Sequence, residues 1–132
     1  LNSIIDKEIL SQNPNAKIGI LGIAYKENTN STKNSLALSI ITRYSNNVVG
    51  AYDPAAVFPE VFSQIKVFST SQECIKASEV IIVVTPWPEF AKIDLDQILN
   101  IDMKKLIVID PFKIFGNLAK FNETKIGKLF VK

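Results

Sequence analysis

A polar loop that carries two lysines follows the first apolar run of the chain, Lys17–Ile23. Its candidate ligand-binding side chains are Tyr25, Lys26, Asn28, Thr29, Asn30 and Lys33. A lysine ammonium binds a phosphate or a sugar carboxylate through charge-assisted hydrogen bonds. Lys33 falls at a predicted helix start, where a cation opposes the helix dipole unless an external anion lies nearby. These residue types predict an anionic, phosphorylated ligand, although a solvated surface lysine is an equally weighted alternative for Lys26.

Two glycines near the end of the same run do not form a dinucleotide-binding fingerprint. Gly19 and Gly22 give the pattern G-x-x-G, whereas the fingerprint G-x-G-x-x-G places glycines in the turn so that the backbone can approach a pyrophosphate. Here Ala24, Tyr25 and Lys26 occupy the turn. The spacing favours glycines that allow close packing on the strand, and it predicts a Rossmann-like fold without a Rossmann nicotinamide site.

Other groups capable of chemistry stand at the ends of later apolar runs. Asp53 and Asp110 each precede a proline, and Thr85-Pro86-Trp87 interrupts a third run. The two aspartates can act as acid or base, but capping and turn formation are the favoured roles, and Trp87 between prolines favours packing. Cys74 is a poor candidate nucleophile because the chain has no histidine to activate it. No catalytic residue is therefore predicted.

Strand-type and helix-type patterns alternate along the chain. Predicted strands are Lys17–Ile23, Val48–Tyr52, Ile65–Phe68, Val80–Val84, Lys105–Ile109 and an edge strand at Ile126–Val131. Predicted helices are Leu1–Ser11, Ser35–Tyr44, Val57–Ser63, Ser71–Ala77 and Leu95–Leu99. This alternation predicts βαβ units: one α/β domain with a Rossmann-like, doubly wound, mostly parallel sheet of five to six strands and flanking helices. The candidate residues then lie at the carboxyl edge of the sheet, where open α/β folds bind ligands.

Composition excludes several classes of function. A net charge of +2 over 132 residues argues against a nucleic-acid or membrane partner, because so weak a field attracts neither polyanion. No apolar run approaches the about 18 residues of a membrane span. The single cysteine excludes an internal disulfide and fits a reducing cytoplasm, and together with the absence of histidine it makes a zinc site improbable. A start at Leu1 inside a helical pattern suggests a piece of a longer protein.

Four motifs now resemble those of one known family. The run Gly22–Ser35 is similar to the loop G-[LI]-[AT]-[FY]-K-x-[DN]-T-x-[DS]-x-R-x-S of the UDP-glucose/GDP-mannose dehydrogenase family, in its C-terminal domain. In the same order, Ala51–Pro54 gives A-Y-D-P, Val83–Phe90 resembles the family's T-E-W-x-E-F, and Val108–Phe112 resembles its D-x-R segment. The resemblance runs from about Lys17 to the tail. The loop is specific, and the other motifs add weight jointly.

The resemblance implies a role in sugar oxidation. Members of that family are three-part enzymes that oxidise the C6 hydroxyl of a UDP- or GDP-sugar to a carboxylate with two NAD⁺. An N-terminal domain binds NAD, a central helical domain dimerises and supplies a catalytic cysteine, and the C-terminal domain closes over the nucleotide sugar. By this resemblance, residues 1–15 are a helical approach segment and residues 16–132 are the nucleotide-sugar-binding domain. The parent is then a cytoplasmic homo-oligomer, and this chain alone is inactive.

Site residues follow from the resemblance by position. Tyr25 and Lys26 match the aromatic–lysine pair that contacts the nucleotide sugar, and Lys33 stands in place of an arginine that reaches the NAD pyrophosphate. Phe112 occupies the position of a substrate-binding arginine, for which Lys113 is the expected substitute. Lysine keeps the charge of arginine but lacks its bidentate fork. These two departures from the family pattern, Lys33 and Phe112 in place of arginines, leave open an alternative function: a non-catalytic nucleotide-binding or protein-interaction module on a Rossmann-like scaffold.

Overall fold

The computed structural model describes residues 1–24, 36–55, 65–94, 106–115 and 126–130. The strands in this part of the chain are β1 (Ile18–Leu21), β2 (Val48–Tyr52), β3 (Lys66–Val67), β4 (Val80–Val83), β5 (Leu106–Ile109) and β6 (Ile126–Phe130). The helices are α1 (Asn2–Ile4), which continues as the π-helical segment Ile5–Leu10, α2 (Leu36–Arg43), α3 (Ser71–Lys76) and the 3₁₀ helix Pro88–Lys92. Two predicted helices, Val57–Ser63 and Leu95–Leu99, lie outside the described residues.

The six strands form one sheet in the order β3-β2-β1-β4-β5-β6. Each neighbouring pair is parallel, so the strand exits share one edge of the sheet. Chain order runs outward from β1 in both directions, with β2 on one side and β4 on the other. This is the doubly wound Rossmann order, in which the topological switch point lies between β1 and β4. The predicted fold class is therefore confirmed.

Both faces of the sheet are covered, which explains the unbroken apolar strands. Alternate β4 residues point to opposite faces: Val80 and Ile82 belong to one buried cluster, and Ile81 and Val83 to the other. The first cluster packs against the N-terminal helix and α2, and the second against α3 and the 3₁₀ helix. Burial on both faces favours β-branched residues, and β4 consists of them throughout, as Val80–Val83.

The predicted N-terminal helix is present and packs into the first of these clusters. Ile5 and Ile9 are 0% and 2% exposed, and both contact the cluster that contains Ile18 and Ile20 of β1. The helix therefore shares its core with the sheet. The division into an approach segment and a binding domain stays a prediction.

A side-chain cap fixes the start of α3. The Thr70 side chain accepts a hydrogen bond from the Glu73 backbone N–H at 3.1 Å, which satisfies one of the free donors of the first turn. Two residues beyond this helix, Ser78 lies so close to Gly19 that a Cβ added there would clash with the Ser78 Oγ. The predicted role of Gly19, close packing on the strand, is confirmed.

Candidate functional site

Asp53 is the organising residue at the carboxyl edge of the sheet. It directly follows β2, and one of its oxygens, Oδ2, accepts the backbone N–H groups of Ile23 at 2.7 Å and Ala24 at 2.9 Å. The same oxygen accepts the indole N–H of Trp87 at 2.9 Å. The other oxygen, Oδ1, accepts the N–H of Ala55 at 2.8 Å. A single carboxylate thus joins the exits of β1, β2 and β4.

A second set of contacts closes the switch point between β1 and β4. Thr85, 1% exposed, donates its hydroxyl to the Ala24 carbonyl at 2.6 Å. Gly22 has a φ of 100° and lies so close to Thr85 that an added Cβ would be 2.6 Å from the Thr85 backbone nitrogen. Only glycine adopts this conformation at low cost, so Gly22 serves a tight turn as well as close packing.

This arrangement does not fit a dinucleotide pyrophosphate at the switch point. In a nicotinamide-binding Rossmann domain, free backbone N–H groups at the β1 exit receive the pyrophosphate. Here the N–H groups of Ile23 and Ala24 already donate to Asp53, whose negative charge would repel a phosphate. Among the described residues of the β1 exit, these two N–H groups are therefore occupied by an internal carboxylate.

Trp87 is a packing residue, as predicted, and its indole N–H also has a defined partner. The side chain is 8% exposed and lies in the cluster on the α3 face with Phe90. Beside it, the Tyr52 hydroxyl donates to Glu89 Oε2 at 2.8 Å, which ties the end of β2 to the 3₁₀ helix. Burial, reinforced by the Glu89 hydrogen bond, raises the pKa of Tyr52 to about 12.

Asp110 builds the turn that follows β5. Its carboxylate is buried, 1% exposed, and accepts the backbone N–H groups of Ile114 and Phe115, each at 3.1 Å. The turn presents Phe112, 49% exposed, and an exposed Lys113 whose φ is 55°. A left-handed conformation is unfavourable for a residue with a Cβ. The structure thus assigns Asp53 and Asp110 the predicted capping and turn-forming roles.

Cys74 has the environment of a structural thiol. It is 0% exposed and lies 3.7 Å from the carbonyl oxygen of Ile20 as a hydrogen-bond donor. Burial raises the pKa of the thiol to about 12. Since the thiolate is the nucleophile, Cys74 is unsuited to covalent catalysis, as predicted.

The predicted site residues divide into two groups. Tyr25, Lys26 and Lys33 lie outside the described residues. Lys113 is described and lies at the β5 exit, on the same edge as Asp53. Sequence reasoning missed the joining role of Asp53 and the bond from Thr85 to Ala24. The position of Asp53 directly after a predicted strand indicated a role at the sheet edge. Its hydrogen-bond partners could not be read from the sequence, because they are up to 34 positions away.

Neither a metal site nor a membrane-spanning helix is found among the described residues. Among them, no group of three or more His, Cys, Asp or Glu side chains is placed to hold a metal ion. None of the helices in the described ranges has the length and apolar character that crossing a bilayer requires.

Comparisons with known proteins identify relatives of one kind. The family model of the UDP-glucose/GDP-mannose dehydrogenase family, UDP binding domain, matches residues 19–117. A putative UDP-glucose 6-dehydrogenase YtcA of Bacillus subtilis is 36% identical over 97 residues, which cover 71% of this chain and 22% of that protein. A UDP-N-acetyl-D-mannosamine dehydrogenase of Methanococcus maripaludis is 36% identical over 98 residues, covering 71% of this chain and 22% of the relative.

Solved structures agree with these matches. A UDP-D-ManNAc dehydrogenase from Pyrococcus horikoshii superposes with a TM-score of 0.65 at 25% identity, covering 94% of this chain and 28% of that one. An NDP-N-acetyl-D-galactosaminuronic acid dehydrogenase from Methanosarcina mazei Go1 reaches a TM-score of 0.71 at 14% identity, covering 98% of this chain and 27% of that one; this second likeness shows the fold alone. The chain spans about a quarter of the length of these relatives.

Proposed function

Because the chain belongs to the UDP-glucose/GDP-mannose dehydrogenase family and matches its UDP binding domain, we propose that it is the substrate-binding domain of an NAD-dependent nucleotide-sugar 6-dehydrogenase. The parent enzyme oxidises the C6 alcohol of a UDP- or GDP-sugar to the uronate with two NAD⁺. Its other partners are an N-terminal NAD-binding domain and a central helical domain of the parent chain. The parent works as a cytoplasmic homo-oligomer.

One observation carries this proposal: the family match begins at Gly19 within β1 and reaches residue 117, past the β5 exit. It therefore contains the strand exits that meet at the carboxyl edge, which is where open α/β sheets bind ligands. Lys113 stands at this edge. We assign Tyr25, Lys26 and Lys113 to the nucleotide sugar, because lysine ammonium groups bind phosphate through charge-assisted hydrogen bonds.

NAD is assigned to another domain of the parent. The switch point of this chain is filled by Asp53, whose Oδ2 holds the backbone N–H groups that a pyrophosphate would need. Lys33 is the proposed contact of this chain with the cofactor at the domain interface. NAD supplies hydride acceptance when it is bound, and the residues of this chain bind and orient the sugar nucleotide.

The proposed domain has no turnover by itself. Family chemistry requires a reactive cysteine, whereas the single cysteine of this chain is Cys74, buried and with its pKa raised to about 12. The thiolate population at neutral pH is negligible under those conditions. Oxidation would depend on a thiol and a cofactor supplied by the preceding domains.

Phe112 favours a second candidate function, a non-catalytic nucleotide-binding or protein-interaction module. It stands at the position that resembles the family's substrate-binding arginine, and 49% of it is exposed. An exposed aromatic ring offers apolar contact in place of a bidentate phosphate or carboxylate contact. The coding sequence upstream of Leu1 separates the two functions: a G-x-G-x-x-G strand-turn-helix and a later cysteine support the enzyme, and their absence supports the module.

Ligand titration tests the binding function directly. We expect UDP-glucose to bind the ¹⁵N-labelled chain weakly and to shift the resonances of Lys26, and Lys26→Ala to weaken binding by about 10–100-fold, the value of one charge-assisted hydrogen bond. Lys7→Ala is the matched control, because Lys7 is an exposed lysine of the N-terminal helix. Lys26 resonances unmoved at millimolar UDP-glucose and GDP-mannose would overturn the proposal.

A further inference from the structure

We infer that Asp53 is a positioning residue for nucleotide-sugar binding. It holds the end of β1 and the Trp87 side chain in a fixed relative position, so that ligand binding changes the fluorescence of the indole ring. This inference rests on the proposed function, and it adds a residue that is not itself a ligand contact. Asp53 acts through the backbone of Ile23 and Ala24. Tyr25 and Lys26 follow Ala24 directly in the sequence.

The first step of the argument is the geometry around Ala24. Its N–H donates to Asp53 Oδ2 at 2.9 Å, and its carbonyl accepts the Thr85 hydroxyl at 2.6 Å. Both polar groups of this peptide position are therefore held by side chains from neighbouring strand exits. Ala24 is also 1% exposed. The point from which the chain leaves β1 is consequently fixed from two sides.

The second step is the sharing of one oxygen. Asp53 Oδ2 accepts the N–H groups of Ile23 and Ala24 and the indole N–H of Trp87, at 2.7, 2.9 and 2.9 Å. If the β1 exit is displaced, the N–H groups of Ile23 and Ala24 move relative to Asp53 Oδ2, the oxygen that also accepts the indole N–H of Trp87. Trp87 is the only tryptophan of the chain, and its emission depends on the polar groups in contact with its N–H. Its fluorescence is thus a direct readout of the β1 exit.

The third step is the requirement for a carboxylate. Asp53 Oδ1 accepts the N–H of Ala55 at 2.8 Å while Oδ2 accepts three donors. An asparagine has one oxygen and one NH₂ group, so in either orientation its NH₂ faces a protein N–H. Only an acceptor-only group satisfies both sides. Asp53→Asn is therefore a substitution of nearly equal shape that breaks the arrangement.

The experiment compares UDP-glucose titrations of the wild-type chain, Asp53→Asn and Thr85→Val, followed by tryptophan emission and by amide resonances. We expect the wild type to show a saturable change in Trp87 emission. Asp53→Asn is expected to raise the Kd by about tenfold or more and to abolish most of the emission change. Thr85→Val removes the hydroxyl bond to Ala24 with little change of shape, and is expected to raise the Kd less. If Asp53→Asn does not fold, Asp53→Glu takes its place, because it keeps an acceptor-only group but moves both oxygens by one methylene; a folded Asp53→Glu chain with the wild-type Kd and emission change would overturn the role of Asp53.

Asp6→Asn is the matched control. The Asp6 carboxylate accepts hydrogen bonds from Arg43 and Tyr44 beside the end of α2, at the amino edge of the sheet. Asp6→Asn should leave the stability, the Kd and the emission change close to their wild-type values, because the exposed ion pair with Arg43 contributes little. Ile5→Ala is the destabilised control: it removes a side chain that is 0% exposed and should lower stability, yet leave the Kd and the emission change at their wild-type values. This control separates positioning from a general loss of stability.

Each outcome decides between the claims. Folded Asp53→Asn and Thr85→Val chains that bind UDP-glucose with the wild-type Kd and emission change would overturn the role of Asp53 and leave the proposed function standing. A wild-type chain that binds no UDP-glucose would overturn the proposed function, and this inference with it. Equal weakening of binding by Ile5→Ala would assign the effect to stability and reject positioning.

Discussion

Tyr44 donates its hydroxyl to Asp6 Oδ1 at 2.9 Å and thereby fastens the N-terminal helix to the end of α2. Arg43 adds a contact to the other carboxylate oxygen at 3.1 Å, although this ion pair is exposed and contributes little. The larger part of the attachment is apolar, because Ile5 and Ile9 are buried against β1. The helix therefore shares an apolar core with the sheet.

Ile5→Ala tests this attachment. Removing a fully buried isoleucine side chain, here 0% exposed, should lower the free energy of unfolding by about 2–5 kcal/mol. Leu1→Ala is the control, because Leu1 is 37% exposed and should change stability by no more than about 0.5 kcal/mol. Urea denaturation of both variants measures the difference. A neutral Ile5→Ala would show that the helix is energetically separate from the domain, like an approach segment that merely leads into it.

Strand positions were predictable because burial on both faces leaves an unbroken apolar signature. Val80–Val84 is predicted and Val80–Val83 is observed, and the described part of the predicted strand Lys105–Ile109 is a strand at Leu106–Ile109. The weakest case is β3, predicted as four residues and observed as Lys66–Val67. It is an edge strand with both residues exposed, so burial imposes no pattern on it.

The candidate site was predictable only in part. Its location followed from topology, because parallel strands bring their exits to one edge. The contacts of Asp53 did not follow, because they join backbone and indole groups 29 to 34 positions away. Such contacts depend on how the exits of three strands approach one another, and no local spacing in the sequence encodes that approach. The local bond from Asp53 to Ala55 was the part that turn chemistry could anticipate.

Gly22→Ala should be among the most damaging single-methyl additions. Gly22 has a φ of 100°, and its added Cβ would be 2.6 Å from the Thr85 backbone nitrogen. Backbone strain and overpacking together predict a loss of about 2–4 kcal/mol in the free energy of unfolding. Gly50→Ala is the comparison, since its Cβ would lie 2.5 Å from both the Lys66 carbonyl oxygen and the ring of the buried Phe68. It overpacks the core without the left-handed backbone of Gly22, so it should lose less. Denaturation midpoints measure both, and a larger loss for Gly50→Ala would contradict the role assigned to Gly22.

Lys113 has an unfavourable left-handed backbone conformation and is also a proposed ligand contact. Two variants separate its effect on stability from its effect on binding. Lys113→Gly and Lys113→Ala both remove the ammonium, so both should weaken UDP-glucose binding equally. They differ in backbone strain: at a φ of 55°, the free energy of unfolding of Lys113→Gly should be about 1 kcal/mol higher than that of Lys113→Ala. Thermal unfolding and ligand titration of the pair measure the two quantities. Unchanged binding in both variants would remove Lys113 from the site.

Cys74 should make the domain lose stability in alkaline solution. Burial raises the pKa of its thiol from 9.0 to about 12. Between these values the unfolded chain releases the thiol proton and the folded chain keeps it, so the unfolded state binds fewer protons. The free energy of unfolding is then at its full value below pH 9 and falls by up to about 1.4 kcal/mol per pH unit above it. Tyr52, with its pKa raised from 10.0 to about 12, adds to the decline above pH 10.

Cys74→Ala isolates the contribution of the thiol to this decline. Urea denaturation of the wild type and the variant at several pH values from neutral to strongly alkaline should give a shallower slope for the variant between pH 9 and 10, where Tyr52 has not yet begun to contribute. Tyr52→Phe serves as the companion variant and should flatten the slope only above pH 10. A thiol reagent provides an independent measurement, because a buried Cys74 should react at the rate of unfolding. Parallel pH profiles for the wild type and Cys74→Ala, together with immediate thiol labelling at neutral pH, would show that this thiol is exposed to solvent in the native state.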